Sequence, residues 1–256
     1  MEGQYLETLT WDEAEAALKR YPVLLLPLGA GCKEHGLHLP LNTDAILAEK
    51  LTRRLVERCP VLALPALSYG YYPAFVEYPG SAHVRREAFR DTVVDIAKSF
   101  ARHGARRFYV LNTGISTNWG LEPARQALAE DGIVMEYTDL HETAREAIAS
   151  VKQEAAGTHA DEIETSKLLY LAPEVVRMER ARKDLHAEER PGPLTRDPNK
   201  KRGLYSPTGA WGDPTLASAE KGRVVFEAAV EELAAFLARF AKPEYRPAPV
   251  RAKYMP

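Results

Sequence analysis

Four side chains of the kind that bind metals are concentrated in one short segment of the sequence. Residues 29–44 contain Glu34, His35, His38 and Asp44, together with three glycines. Imidazole nitrogens and carboxylate oxygens are the donors that zinc, manganese and iron take from proteins, and glycine allows the backbone to turn tightly around a small ion. Asp44 also fits the first turn of a helix, where the helix dipole favours a carboxylate, but that interpretation does not account for the whole group.

A second acidic segment lies later in the chain. Residues 158–166 begin with Thr158 and contain His159, Glu162 and Glu164. A threonine followed by acids is typical of a helix start, so the segment has a structural interpretation as well as a catalytic one. The catalytic interpretation requires at least one of these side chains to point toward the first segment.

The elements around both segments follow the pattern of an α/β protein. Four continuous apolar runs predict strands that are buried on both faces: residues 23–26, 61–67, 108–111 and 133–135. Helical patterns between the runs favour a mostly parallel central sheet flanked by helices. Ligands of such sheets bind beyond the carboxyl ends of the strands. No break in composition divides the chain, so residues 1–256 are interpreted as one layered domain.

Charge and cysteine content narrow the class of protein. The chain has 256 residues, with 34 Lys and Arg against 36 Asp and Glu, and its formal net charge is -2. This balance leaves no positive surplus for binding nucleic acid or acidic membranes. Two cysteines cannot form a disulfide framework, and no apolar run approaches the ~20 residues of a membrane helix. We therefore expect a cytoplasmic enzyme with a small-molecule substrate, no nucleic-acid partner and no membrane partner.

Two proline-rich regions stand apart from this alternation. Residues 190–214 contain five prolines and the basic run 200–202, and a loop of that length is usually functional. The tail from about 243 is also rich in proline. It is expected to be extended, either on its own domain or against a neighbouring subunit.

Together the two acidic segments resemble the creatininase family of metal-dependent amidohydrolases. Residues 27–29 match the family's Pro-x-Gly. The family continues with Glu-x-His-Gly-x-His-Leu-Pro-x-x-x-Asp, and residues 35–44 match this segment from its first His onward, with Glu34 directly before that His. Residues 159–166 match His-Ala-Gly-x-x-Glu-Thr-Ser, and residues 209–214 match Gly-x-x-Gly-Asp-Pro. The matches run in order along most of the chain.

The resemblance implies an α/β domain, often assembled as a homo-oligomer such as a hexamer, with two divalent metals that activate water for attack on a small amide. Zinc is the expected metal, with manganese or iron as alternatives. In the family, the aspartate matched by Asp44 bridges the metals, and the histidine matched by His35 binds one. Glu164 matches an acid in or beside the metal shell. His159 or Glu162 is expected to pass a proton to the leaving nitrogen.

Two departures from the family pattern concern metal ligands. The family's ligand glutamate falls at position 33, where this chain has Lys33, with Glu34 beside it. After the third strand the family carries Asn-Gly-His-x-x-Asn, whereas no histidine stands between Asn112 and Asn118. Either a bulge brings Glu34 to the ligand position, or Lys33 replaces a cation with its own ammonium.

Both lost ligands serve the same metal in the family. We therefore expect one tightly held metal on His35, Asp44 and Glu164, with Glu34 as a further candidate ligand. The second metal position is expected to be weak or empty, so the chain holds one or two metals.

The expected reaction is hydrolysis of a small amide or cyclic amide, with Lys33 or the metal stabilising the oxyanion. Creatinine is not the expected substrate, because family members that act on it use tryptophans near the second segment and residues 141–158 contain none. Substrate contacts are predicted from four residues in the loops that follow strands: Ser81, Asn112, Ser116 and Trp119. The alternative is a non-hydrolytic member with one metal or none, acting as an isomerase, a lyase or a ligand binder.

Overall fold

The central element of the fold is a sheet of five parallel strands. The computed structural model describes residues 2–185, 193–200 and 203–255. The strands are β1 (Gln4–Tyr5), β2 (Val23–Leu28), β3 (Val61–Ala63), β4 (Arg107–Asn112) and β5 (Val134–Tyr137). They pair in the order β1-β3-β2-β4-β5. The predicted α/β class with a mostly parallel sheet is confirmed.

Helices occupy both faces of this sheet. In the described part of the chain they are α1 (Trp11–Arg20), α2 (Thr43–Val56), α3 (Arg86–Ala101), α4 (Asn118–Glu130), α5 (Arg145–Val151), α6 (Glu162–Leu171) and α7 (Ala219–Phe240). Two short strands, β6 (Leu194–Thr195) and β7 (Leu204–Tyr205), pair with each other within the proline-rich region. Residues 190–192 and 201–202 of that region lie outside the described residues. No helix among those described is long and apolar enough to cross a membrane.

Alternation along β2 produces the three layers. Leu24, Leu26 and Leu28 pack into the cluster formed with α3 and α4. Val23 and Leu25 pack into the cluster formed with α2 and α7. Because successive side chains of a strand point to opposite faces, a strand covered on both sides must be apolar throughout. The continuous apolar run therefore predicted this strand correctly.

The apolar run at 61–67 is only partly a strand. Strand β3 stops at Ala63, two residues before Pro65. Proline has no N–H to donate to a ladder, so regular pairing does not continue through it. The remainder of the run continues as a loop toward the carboxyl edge of the sheet.

The carboxyl ends of β2 and β4 lie side by side at the centre of this edge. Leu28 pairs with Asn112 in the last register position, so the loops after the two strands begin next to each other. A Cβ at Gly29 would meet the main chain of Asp44; the missing side chain lets the start of α2 return against the end of β2. The next strand in sequence, β3, lies on one side of β2, and β4 lies on its other side, so the strand order reverses at this point. Ligand crevices of open α/β sheets lie at such points.

The C-terminal tail packs on its own domain. Arg125 of α4 donates hydrogen bonds to the carbonyls of Ala248 and Pro249, at 2.9 and 3.0 Å. The N–H of Ala248 donates to the buried carboxylate of Glu136 at 3.0 Å. Of the two placements expected for the tail, the structure has the intramolecular one.

Tyr254 is the apolar anchor of this tail. It is 2% exposed, its hydroxyl donates to Asp139 at 3.0 Å, and its ring meets Trp119 edge-on, with centroids 5.1 Å apart. The tail therefore contacts the first turn of α4 and the loop that follows β5.

We predict that Tyr254→Ala lowers the free energy of unfolding by about 3–5 kcal/mol, as deletion of a buried aromatic ring does. Urea unfolding followed by circular dichroism measures the change. Tyr69→Ala is the matched control, because Tyr69 is 53% exposed, and its effect should stay within about 0.5 kcal/mol. Equal effects of the two substitutions would contradict the packing of the tail.

Candidate metal centre

Three side chains bring donor atoms together beyond the ends of β2 and β4. His35 comes from the loop after β2, His159 from the segment before α6, and Glu164 from the first turn of α6. One donor atom of each lies within 4.8 Å of the other two. Two imidazoles and a carboxylate are a ligand set that zinc takes together with water, so these residues fit a divalent cation.

His35 is held in one orientation by its backbone partner. Its Nδ1 lies 2.9 Å from the carbonyl oxygen of Lys33; because a carbonyl only accepts hydrogen bonds, Nδ1 carries the hydrogen. Nε2 then faces Asp44 Oδ1 at 3.0 Å and Glu164 Oε1 at 3.9 Å. A ring nitrogen fixed by a backbone carbonyl leaves the other one for a metal.

His159 is oriented by Glu34. Its Nε2 lies 2.8 Å from Glu34 Oε1, and its Nδ1 lies 3.9 Å from Glu164 Oε2. Burial lowers the pKa of His159, but the Glu34 carboxylate outweighs burial and the net pKa is raised above its ordinary value. Histidines that bind metals commonly donate their other N–H to a carboxylate, and Glu34 stands in that relation to His159.

Glu164 is fixed by backbone hydrogen bonds. Its N–H donates to Asp161, the N-cap of α6, at 2.8 Å, and its Oε2 accepts from the N–H of Ala160 at 2.7 Å. Burial raises the pKa of Glu164, but His35 and His159 outweigh burial and hold it below its ordinary value. The carboxylate therefore faces both imidazoles.

Two of the predicted ligands differ from this group. Glu34 is engaged with His159 and with the N–H of Gly36, at 2.9 Å from its Oε2. Asp44 Oδ2 lies 2.6 Å from the ammonium of Lys33. His159, predicted to carry a proton, is one of the three converging donors. The first-segment histidine and the α6 glutamate are the other two, and their role as metal ligands stays a prediction.

Glu162 is not brought into the group. Its Oε2 accepts from the N–H groups of Gln153 and Glu154, both at 2.8 Å, and its other oxygen pairs with Lys221 of α7. The helix-start interpretation therefore describes Glu162, because its carboxylate binds the backbone of the preceding segment at the first residue of α6. A role in proton transfer receives no support from this position.

The Gly-x-x-Gly-Asp-Pro segment contacts Glu34 and His159, the two residues that pair with each other at the centre. Gly209 has a φ of +83°, and a Cβ there would meet the Glu34 carboxylate. The N–H of Trp211 donates to the carbonyl of His159 at 2.7 Å. The motif thus supports the metal centre in two ways. Its glycine lets the backbone lie against the Glu34 carboxylate, and its tryptophan pairs with the backbone of His159.

His38 has a structural role. Its Nε2 lies 2.8 Å from Thr165 Oγ1, and burial lowers the pKa of His38 to about 4. Its side chain connects the first segment to α6 and lies outside the converging group.

A cavity of about 470 Å³ opens onto the centre. Lys33, His159 and Glu164 line it, and aromatic side chains form much of its wall: Tyr71, Phe75, Trp119 and Trp211. Ser116 and His141 also line it. The predicted substrate contacts Ser116 and Trp119 thus face the cavity. Trp211 lies in a recognisable motif, but nothing in the sequence pattern distinguishes it as a wall residue.

Ser81 and Asn112 have other positions. The Ser81 hydroxyl accepts from the N–H of Glu34 at 2.9 Å. The Asn112 side chain donates to the carbonyl of Gly114 at 2.7 Å and to Asn118 at 2.9 Å. Both are predicted to touch substrate, but they are not among the residues that line the cavity, and they hold the loops that carry it.

These features define a class: an α/β protein with a candidate divalent-metal site at the carboxyl edge of a parallel sheet. The chain belongs to the creatininase family, since the family model described as creatinine amidohydrolase matches residues 7–237. Its relatives in the family are hydrolases.

Three relatives illustrate the range of that family. Creatinine amidohydrolase of Pseudomonas putida is 29% identical over 249 residues, covering 90% of this chain and 94% of the relative. The mycofactocin precursor peptide peptidase of Mycobacterium ulcerans (strain Agy99) is 30% identical over 234 residues, covering 86% of each. The 3-dehydro-scyllo-inosose hydrolase of Thermotoga maritima is 27% identical, covering 90% of this chain and 81% of the relative.

Solved structures agree with the fold. A creatininase described with manganese superposes with a TM-score of 0.81 at 26% identity, covering 94% of this chain and 100% of that chain. A creatininase variant described as the zinc–zinc type superposes with a TM-score of 0.79 at 26% identity, covering 95% and 100%.

The segment before α6 contains a buried carboxyl group with a raised pKa. Glu154 Oε2 accepts from the N–H of Asp213 at 2.6 Å, and its Oε1 lies 3.2 Å from Lys152 Nζ. Burial, reinforced by the Asp161 carboxylate, raises the pKa of Glu154 to about 7. Folding therefore favours the protonated form of this side chain.

We predict that Glu154→Gln flattens the dependence of stability on pH. The native pKa lies above the unfolded one of about 4.5, so the contribution of Glu154 is fully present below pH 4.5 and is lost as pH rises through 7. Between pH 5 and pH 8 the wild type should lose roughly 2–3 kcal/mol more than Glu154→Gln, measured by urea unfolding. The exposed control Glu146→Gln should follow the wild type, and parallel profiles for all three proteins would contradict the prediction.

Proposed function

We propose that this protein is a metal-dependent hydrolase of amide C–N bonds, with a divalent cation bound by His35, His159 and Glu164. The observation that carries the proposal is the convergence of these three donors at a cavity that reaches solvent. Zinc suits the donor set, and manganese or iron are alternatives. Membership of a family of hydrolases supports the reaction class.

A divalent cation at this position lowers the pKa of water and polarises a carbonyl group. The chain's own residues supply the other functions. The ammonium of Lys33, at the cavity wall, neutralises negative charge that develops on the carbonyl oxygen. Glu34 holds the N–H of His159 and so keeps that ring in one orientation.

The proton for the leaving nitrogen requires another donor. Both ring nitrogens of His159 are directed at carboxylates, one at Glu34 and one at Glu164. Among the residues that line the cavity, Lys33 and His141 can also donate a proton. Because the ammonium of Lys33 is held in its ion pair with Asp44, we assign proton delivery to His141 instead of His159 or Glu162.

The size of the cavity bears on the substrate. A volume of about 470 Å³ is in the range that holds drug-sized ligands, and the wall is mainly aromatic and aliphatic. Such a site favours an amide with an apolar or aromatic substituent over a small, highly polar ring such as creatinine. We propose that the enzyme acts in the cytoplasm as a homo-oligomer on substrates of this class.

The second candidate is a non-hydrolytic member of the family that binds a ligand or catalyses an isomerisation or elimination. The observation that favours it is the Lys33–Asp44 ion pair, which neutralises a carboxylate that would otherwise be free to bind a metal.

We expect hydrolysis to depend on metal. Protein stripped with a chelator is incubated with lactams, formamides, ureides and N-acyl amides that carry aromatic groups, and products are identified by mass spectrometry. Cleavage should appear only after zinc, manganese or iron is restored. Glu164→Gln should lower kcat/KM by about 100-fold or more because a ligand is lost.

Glu174→Gln is the control for that substitution, because Glu174 is an exposed glutamate outside the site, and it should retain wild-type kinetics. Undiminished cleavage by the metal-free protein would reject the metal mechanism. Ligand binding without any cleavage across the panel would favour the second candidate.

A further inference from the structure

Lys33 is a buried cation in a position that faces both the metal centre and the cavity. The residue is 5% exposed, and its Nζ lies 2.6 Å from Asp44 Oδ2 and 4.9 Å from the centroid of the Phe75 ring. A buried ammonium requires a charged partner, because desolvation otherwise favours its neutral form. Asp44 is that partner.

The two charges of this pair stabilise each other. The ammonium and the carboxylate lie 2.6 Å apart, and the side chains of Lys33 and Asp44 are 6% and 1% exposed. At this depth each charge depends on the other for compensation.

The charges around the centre match one divalent cation. Glu34, Asp44 and Glu164 contribute three negative charges, and Lys33 contributes one positive charge. Two negative charges remain when the imidazoles are neutral, as metal ligands are. One divalent cation balances them, whereas two would leave two uncompensated positive charges in a buried site.

Asp44 Oδ2 is the atom on which a second ion would depend. It is buried, and the contact that the structure gives it is the ammonium of Lys33 at 2.6 Å. A second ion at this atom would have to displace the ammonium of Lys33. Among the described residues, Lys33 has no other buried carboxylate at a comparable distance to which it could move.

We propose that the ammonium of Lys33 permanently occupies a cation position at Asp44, so that the enzyme uses one exchangeable metal and one covalently attached cation. This inference rests on the proposed metal-dependent function and specifies its site. One solved creatininase variant is described as the zinc–zinc type. In this chain, one of the two cations belongs to the polypeptide.

The test is the number of ions bound per chain. Wild type, Lys33→Arg and Lys33→Glu are stripped of metal and equilibrated with zinc by dialysis. Bound zinc is then measured by inductively coupled plasma mass spectrometry, and circular dichroism verifies folding. We expect one ion for the wild type and for Lys33→Arg, which keeps the cation. We expect two for Lys33→Glu, because a fourth carboxylate leaves four negative charges.

The outcomes separate this inference from the proposed function. Two tightly bound ions in the wild type would overturn the role of Lys33 while leaving a metal-dependent hydrolase intact. No bound ion would overturn both. A folded Lys33→Glu that still binds one ion would show that removing the ammonium opens no cation position. If that variant does not fold, the wild-type count alone decides the question.

Discussion

The constraint on which the site depends is the crowding of three carboxylates into one small volume. Glu34 and Asp44 are buried, and Glu164 is partly buried at the wall of the cavity. Carboxylates in such a position require hydrogen-bond donors or cations, since water no longer solvates them. The ammonium of Lys33, two imidazoles and the N–H groups of Gly36 and Ala160 serve this purpose. In the proposed function, a divalent ion would complete the compensation.

Close approach of the backbone at glycines holds the side chains of the site in their relative positions. The start of α2 returns against Gly29, and the loop at Gly209 packs on the Glu34 carboxylate. A Cβ at Gly222 of α7 would overlap the carbonyl of Ser166 in α6. The family motifs thus contain two kinds of residue: those whose side chains form the candidate metal centre, and glycines whose missing side chain allows the close approach.

Sequence patterns could predict the sheet and the segments of the site, but not the direction of each side chain. Apolar runs specify buried strands because both faces must be covered. Spacing alone does not reveal that Glu34 turns to His159, since that contact spans 125 residues. The Lys33–Asp44 pair also depends on how one extra residue is accommodated in a loop. Glu162 and Glu164 belong to one motif, yet residues two positions apart on a helix point in different directions.

The tail has a consequence for the order in which the molecule is completed during synthesis. Tyr254 contacts Asp139 across 115 residues of sequence, which a ribosome translates in on the order of ten seconds. Before the tail is made, Arg125 has its ion pair with Glu122 but lacks the carbonyls of Ala248 and Pro249, and Glu136 lacks the N–H of Ala248. Until then, the side of Trp119 that Tyr254 covers also has no tail packed against it.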